Sequence, residues 1–261
     1  MSKPSGAIDM TRGKPINLML RFALPMMIGS IFQSLYSMVD SAVLGRFVGS
    51  HALAAIGATT STTGLILLLA TGVTSAISIV LSQYVGANDT DRVRKGIVAS
   101  GWITLLLGVV LGLISVFAAR PLMQLLKTPE DVIDMSVLYI QIVCGCGIAQ
   151  FAYNAAASIL RALGDSKTPL YFLILCSILN VILDLISVIG LNMGVAGVAV
   201  ATVGSQAISA VICILVMFRK YPNLMPKRHT LRPDMPVSLK IFGMGAQMAL
   251  QSLFLSVGMM V

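Results

Sequence analysis

The sequence predicts an all-α polytopic membrane protein, and three observations support this fold class. Hydrophobic residues make up 57% of the 261-residue chain, against about 45–50% in soluble domains. Charged residues make up 11%, where about 25% is usual, which is too few to cover a soluble fold of this length. Finally, seven apolar runs are long enough to cross a bilayer, since a spanning helix needs about 20 mostly apolar residues.

The seven runs follow one another with polar connections between them. Their approximate ranges are 16–40, 53–84, 97–119, 135–160, 169–190, 194–218 and 237–261. The second run is overlong for a hydrocarbon core of about 30 Å, so the second helix is expected to tilt or to project into the cytoplasm. The seventh run reaches the last residue of the sequence without a following loop.

Lysine and arginine residues indicate the orientation of these helices. Fifteen of them fall in the N-terminal segment and the connections on the same side, and three (Arg46, Arg120 and Lys127) fall on the other side. Cytoplasmic loops are enriched in Lys and Arg, so we expect a multi-pass protein of the plasma (inner) membrane with a cytoplasmic N-terminus. The same bias accounts for the net charge of +8, and no nucleic-acid partner is predicted.

A short internal repeat predicts the domain organisation. Residues 33–39 read QSLYSMV and residues 251–257 read QSLFLSV, at an offset of 218. Parallel repeats of this kind are common in transporters, and six intervening helices give both copies the same orientation. We therefore expect a six-helix transporter lobe over 1–218, a cytoplasmic inter-lobe linker over 219–236, and the first helix of an incomplete C-terminal lobe over 237–261. On this interpretation the chain is a fragment or a truncated product.

Two acidic residues fall inside apolar runs. Asp40 lies near the outer end of the first run and Asp184 lies inside the fifth. An acid at membrane depth is costly and normally faces a cavity or a partner. Asn180 precedes Asp184 by four residues, so the two side chains share one helical face. Asn154 and Thr202 add oxygens if the fourth and sixth helices pack nearby.

Two coupling chemistries fit this set of residues, and the residues leave both open. A carboxyl group removed from water holds a proton more readily, so Asp40 or Asp184 would carry a proton. Alternatively, Asp40, Asn180, Asp184 and Thr202 would coordinate one Na⁺, a hard cation that prefers oxygen ligands. The structural alternative is that Asp184 and Asn180 only bind helices together. No cofactor other than the coupling ion, Na⁺ or H⁺, is expected.

Other features give weaker predictions. Pro25 bends the first helix by removing a backbone hydrogen bond, as a hinge or as a static kink. Four polar residues are candidates for lining a substrate cavity, with helix–helix hydrogen bonding as the alternative: Gln33, Tyr36, Gln206 and Gln251.

Taken together, these residues resemble the multidrug and toxic compound extrusion (MATE) transporters. The stretches that carry the resemblance are LPMMIGSIFQSLYSMVDSAVLGRFVG, LSQYVGANDTDRVRKG, RALGDSKTP with the following LNVILD, and GLNMGVAGVAVATVGSQ. The resemblance implies a truncated two-lobe fold and export of small organic, often cationic, compounds in exchange for Na⁺ or H⁺, with rocker-switch alternating access between the lobes. It also implies that Asp40, Asn180, Asp184 and Thr202 form the cation site of the N-terminal lobe, with Asn154 as a neighbour.

The sequence departs from the family pattern at one position next to this site. Leu185 stands where the family often has a proline directly after the acid, so the local helix geometry is in question. The seventh run carries Gln251 and no acid, which favours the N-lobe site.

Other functions fit the sequence less well. A lipid-linked precursor flippase of the same superfamily would need basic residues well inside the helices. An intramembrane aspartyl protease would need a G-x-G-D element, whereas this chain has ALGD with Asp165 in a loop. No enzymatic activity is predicted.

Overall fold

The computed structural model describes residues 15–224, 226 and 232–258 of the chain. The side chains of residues 15, 65, 69 and 255–258 are outside this description. The predictions for the N-terminal segment 1–14, for much of the linker and for residues 259–261 therefore fall outside the described residues.

The described residues form helices joined by short turns. Their bounds are α1 Pro15–Phe47, α2 Ser50–Gly86, α3 Thr90–Leu125, α4 Glu130–Gly145, α5 Ile148–Ala162, α6 Lys167–Asp184 continuing as a π-helical segment Leu185–Gly190, α7 Gly194–Lys220 and α8 Met235–Gly258. Each predicted apolar run coincides with one of these helices or, for the fourth, with the pair α4 and α5. The all-α membrane fold class is confirmed.

Five of the described helices are long and apolar enough to cross a membrane, and the α4–α5 pair makes a sixth span if it is counted as one. The fourth predicted run, 135–160, folds as two helices, α4 and α5. A bend of 43° separates α4 from α5, where Gly145 and Gly147 flank Cys146. Glycine is a weak helix former, and Gly112 of α3 packs directly against the carbonyl group of Gly145.

The predicted seventh span folds as α8, but over the described residues α8 is not among the helices that are long and apolar enough to cross a membrane. Lys240, Gln247 and Gln251 lower its mean hydropathy. Helix α8 has a buried stripe formed by Val237, Ile241, Gly245 and Ala249, and the helix packs along α2 and α3.

The largest buried cluster lies between α2, α3, α5, α7 and α8 and includes Ile77, Leu81, Leu160 and Ile241. Helix α1 lies outside this cluster and packs mainly on α6. Large apolar side chains of α1 such as Met19, Leu24 and Met38 are exposed, as expected for a helix that faces lipid.

The turns at one end of the bundle collect the basic residues. We call this the basic end. It consists of the α2–α3 turn, the α5–α6 turn and the residues between α7 and α8, together with the adjoining helix ends. The α2–α3 turn is built by Asn88, whose φ of 55° lies in the left-handed region, and by Asp89, which accepts a hydrogen bond of 3.0 Å from the backbone N–H of Arg92 and caps α3.

Candidate functional site

The candidate site begins with two polar residues on one face of α6. Asp184 is fully buried and Asn180 is 1% exposed, and they lie one helical turn apart. Both carboxylate oxygens of Asp184 and both amide atoms of Asn180 lack a hydrogen-bond partner among the described residues. Leaving a buried polar group unpaired costs about 1–3 kcal/mol, and more for a charged one. This concentration of unpaired groups makes the face a candidate for binding a ligand.

Helix α1 adds a second carboxyl group. Asp40 interacts directly with Asp184, and its Oδ1 is buried without a partner. Two ionised carboxylates that lie next to each other repel each other. A proton shared between them, or a cation bound between them, removes that repulsion and joins α1 to α6.

Helix α7, which carries Thr202, packs against α6 and the π-helical segment. The Thr202 hydroxyl is buried and donates a hydrogen bond of 2.9 Å to the Val198 carbonyl oxygen. Its lone pairs therefore remain available as an oxygen ligand. Thr202 makes no hydrogen bond to the unpaired atoms of Asp184 or Asn180.

Asn154 lies on α5 and is half-buried. Helix α5 packs chiefly on α2, α3 and α7. The structure gives no hydrogen bond between Asn154 and Asn180 or Asp184, so its predicted place beside the site stays a prediction.

The predicted cavity residues separate into two groups. Tyr36 on α1 is half-buried, lies within electrostatic range of Asp40 and contacts Gln33, which is exposed. Gln206 is half-buried on α7, whereas Gln251 is exposed on α8, which packs against α2 rather than against α1. Tyr36 is therefore placed beside Asp40, and Gln33 lies beside Tyr36.

Sequence reasoning missed two residues near the acids, Tyr139 and Cys176, and also Ser209 beside Cys176. Tyr139 on α4 is half-buried and within electrostatic range of Asp40, Tyr36 and Asp184. Cys176 on α6 lies near Asp40 and contacts Ser209 of α7, whose buried hydroxyl lacks a partner. Cys176 lies one turn before Asn180, so the helical face shared by Asn180 and Asp184 was the signal that would have found it.

Among the described residues, no group of three or more His, Cys, Asp or Glu side chains is placed to hold a metal ion. A transition-metal site therefore has no support in this part of the chain. A cation held here would instead use mixed ligands, with carboxylate, amide and hydroxyl oxygens, which suits Na⁺ better than Zn²⁺.

Pro25 is buried inside α1, on the stretch that leads to Asp40. Gly29, one turn later, packs so closely on α6 that an added Cβ would lie 3.0 Å from Leu173 Cδ2. The hinge assignment of Pro25 stays a prediction.

A second polar cluster lies at the basic end. The buried Asp165 carboxylate accepts hydrogen bonds from Lys220 Nζ at 2.6 Å, from Thr168 Oγ1 at 2.6 Å and from the Thr168 backbone N–H at 3.1 Å. Burial alone would raise the pKa of Asp165, but these hydrogen bonds outweigh it and hold the pKa below its usual value. The cluster joins the α5–α6 turn to the end of α7.

The fold and the acidic site define a multi-pass α-helical membrane protein with unpaired polar groups inside its bundle. The family model MatE matches residues 25–186, and the chain belongs to this family. The resemblance to MATE transporters that the sequence indicated is therefore confirmed.

Individual relatives support the same family assignment. The chain is 31% identical over 256 residues to "Probable multidrug resistance protein YpnP" of Bacillus subtilis (strain 168), covering 97% of this chain and 57% of that protein. It is 30% identical over 242 residues to "Probable multidrug resistance protein YoeA" of the same organism, covering 90% and 52%. The chain spans about half the length of the curated relatives it matches.

A solved structure shares the fold. It is described as the outward-facing conformation of a multidrug resistance MATE family transporter of the MOP superfamily. The superposition has a TM-score of 0.91 at 25% identity and covers 99% of this chain and 57% of that one.

Proposed function

We propose that this chain is the N-terminal part of a cation-coupled antiporter that exports small organic, often cationic, compounds by alternating access. Residues 1–218 form the first lobe, 219–236 the inter-lobe linker and 237–261 the first helix of the second lobe. The basic end faces the cytoplasm, in keeping with the enrichment of Lys and Arg there. The membrane is the plasma (inner) membrane.

The observation that carries this proposal is the pair of carboxyl groups of Asp40 and Asp184, which lie together with buried, unpaired oxygens. Intramembrane acids of this kind mark ion and substrate pathways. The coupling ion is H⁺ or Na⁺. Asn180 and Thr202 are proposed to complete the oxygen ligands for Na⁺, with Asn154 as an outer neighbour.

Coupling follows from the position of the two acids on different helices. When the ion is bound, α1 and α6 are held together. When the ion leaves, the carboxylates repel each other and α1 is free to move, with Pro25 as the hinge. Substrate then occupies the space beside Tyr36 and Gln33, and Gln206 and Gln251 are proposed as further lining residues.

The flippase alternative is not proposed. Within the described helices, the Lys and Arg residues lie near helix ends, where they do not line a cavity for pyrophosphate at the depth of the acids.

The test is Asp184→Asn in the complete two-lobe transporter, reconstituted in vesicles with ethidium as the transported probe. We expect efflux to fall to the level of empty vesicles under both a sodium gradient and a pH gradient. The matched control is Asp134→Asn, which changes an exposed acid paired with Arg120 and should leave efflux unchanged. Normal coupled efflux in Asp184→Asn would refute the assigned role, and the gradient that drives the unmodified protein identifies the ion.

A further inference from the structure

Two exposed basic residues at the basic end have no acidic partner among the described residues. They are Lys167, the first residue of α6, and Arg219, in the last turn of α7. Lys220, the residue after Arg219, differs from them because its Nζ lies 2.6 Å from Asp165 Oδ2. The charges of Lys167 and Arg219 are therefore not neutralised within the described part of the chain.

The packing of α6 on α7 places these two residues on one side of the helix pair. Lys220 Nζ of α7 lies 3.1 Å from Thr168 Oγ1 of α6, which marks the sides that the two helices turn toward each other. Lys167 and Arg219 each directly precede one of these residues, and successive helical residues are rotated by about 100°. Because α6 begins at the basic end and α7 ends there, the helices are antiparallel, and both rotations lead to the same side.

The same side of α6 and α7 carries exposed apolar side chains at helical spacing. On α6, Tyr171 and Ile178 stand four and eleven residues after the first basic residue, and on α7 Leu215 and Ile208 stand four and eleven residues before the second. These four side chains are between 43% and 65% exposed. Both helices belong to segments that are long and apolar enough to cross a membrane, so this side faces acyl chains. We call it the outer face, and its residues are Lys167, Tyr171, Ile178, Ile208, Leu215 and Arg219.

The order of residues along the outer face matches the layers of a bilayer. Lys167 and Arg219 lie at the ends of their spans, where basic side chains reach the headgroups. Tyr171 lies one turn further in, and tyrosine is enriched where the headgroups meet the hydrocarbon core. The acid of α6, Asp184, is fully buried, so it does not oppose a negative charge on the outer face.

We propose that the outer face binds an anionic phospholipid, with its phosphate between Lys167 and Arg219. The glycerol region lies beside Tyr171, and the acyl chains lie along Ile178 and Leu215. Basic sites between membrane helices bind anionic headgroups in this way. A zwitterionic phospholipid carries a compensating positive charge and is held less well. The site goes beyond the proposed transport activity, because it needs only the described helices in a bilayer.

The test measures which lipid lies against the outer face in the complete protein. A bimane fluorophore is attached to Val211→Cys, an exposed position beside Leu215, with the exposed Cys146 replaced by alanine and in a background without other accessible cysteines. The vesicles contain equal amounts of phosphatidylglycerol and phosphatidylcholine, and a nitroxide on the acyl chain of one or the other quenches the fluorophore. We expect the labelled phosphatidylglycerol to quench roughly twofold to fivefold more strongly.

Variants of the basic pair decide whether this preference belongs to the outer face. Lys167→Gln combined with Arg219→Gln should bring the ratio of quenching close to one, whereas Lys167→Arg combined with Arg219→Lys should keep it. The matched control is Arg92→Gln combined with Lys95→Gln, which removes the same charge from exposed residues of α3 and should leave the ratio unchanged. A ratio near one in the unmodified protein overturns the proposal, and so does a ratio that falls equally in the control.

Measurements on the unmodified protein keep the proposal testable if the glutamine variant does not fold. Raising the KCl concentration from about 0.1 M to about 1 M shortens the Debye length from about 10 Å to about 3 Å, so the preference for phosphatidylglycerol should weaken. A preference that high salt leaves unchanged is not electrostatic and contradicts the proposed site. Inorganic phosphate should act no more strongly than chloride at equal ionic strength. If phosphate alone abolishes the preference, the site binds free anions and the lipid site is overturned.

Discussion

The carboxyl group of Asp40 on α1 meets the carboxyl group of Asp184 on α6, and Asp184 is completely buried there. Helix α1 has little other burial, since many of its large side chains are exposed. A positive species bound between the two acids would therefore contribute directly to holding α1 on the bundle. The proposed ion binding would in this way be linked to the position of a whole helix.

The first prediction concerns the stability gained when the ion binds. A ligand at about 100 times its dissociation constant stabilises the folded state by about 2.7 kcal/mol. If the site binds Na⁺, we expect the Tm of the protein in detergent to be higher in NaCl than in choline chloride at alkaline pH. If the site binds H⁺, we expect the Tm to rise on mild acidification. Either response should disappear in Asp184→Asn.

The control for this measurement is Asp134→Asn, because Asp134 is an exposed acid far along the chain from α6. Its ion response should equal that of the unmodified protein. An ion-dependent rise in Tm of the same size in Asp184→Asn would show that the stabilising ion binds elsewhere.

The second prediction concerns the Asp165–Lys220 pair at the basic end. Removing one partner of a buried ion pair costs about 3–5 kcal/mol. The Lys220 side chain is 23% exposed, so water can still reach its charge when the partner is removed. We therefore expect the loss of stability in Asp165→Ala to lie near the lower end of this range. The double variant with Asp165→Ala and Lys220→Ala should lose clearly less stability than the sum of the losses in the two single variants. The free energies of unfolding of the unmodified protein, both single variants and the double variant are measured by unfolding in detergent followed by circular dichroism.

The pH dependence of this pair has a definite sign. The pKa of Asp165 is held below its usual value of 3.8, so the pair contributes stability above pH 3.8 and loses it as the pH falls through the lowered pKa. Asp91→Ala serves as the control, since that acid is 84% exposed in its pair with Arg94 and should change stability by less than about 1 kcal/mol. If the double variant loses as much stability as the two single variants together, Asp165 and Lys220 do not stabilise each other, and the pairing is ruled out.

The helices and the acid pair were predictable from sequence because both depend on local patterns. Apolar runs locate the spans, and the four-residue spacing of Asn180 and Asp184 places them on one face. The bend after Gly145 was not predicted, because it depends on how α3 packs against the glycines. The Asp165–Lys220 pair was also missed, since the two residues lie 55 positions apart and only packing of the α5–α6 turn on α7 joins them.

The third prediction concerns Pro25. Pro25→Ala restores a backbone N–H to the interior of α1, and proline costs about 3 kcal/mol relative to alanine in a helix interior. We therefore expect α1 to become straighter and the protein to become more stable, while efflux slows because the hinge is lost. The measurements are Tm in detergent and ethidium efflux from vesicles.

Pro121 provides the matched control, because it also lies inside a helix, α3. Pro121→Ala should gain stability in the same direction without slowing efflux. Equal efflux in Pro25→Ala and the unmodified protein would assign Pro25 to a static kink.

The fourth prediction concerns the packing of α3 on the bend between α4 and α5. A Cβ at Gly112 would lie 2.9 Å from the carbonyl oxygen of Gly145, a backbone atom that cannot rotate away. Overpacking of this kind typically costs about 1–3 kcal/mol, so Gly112→Ala should lower Tm. Gly101 lies on the same helix with open space around it, and Gly101→Ala should raise stability by up to about 1 kcal/mol through helix propensity. An unchanged or higher Tm in Gly112→Ala would mean that α3 does not approach the bend as closely as described.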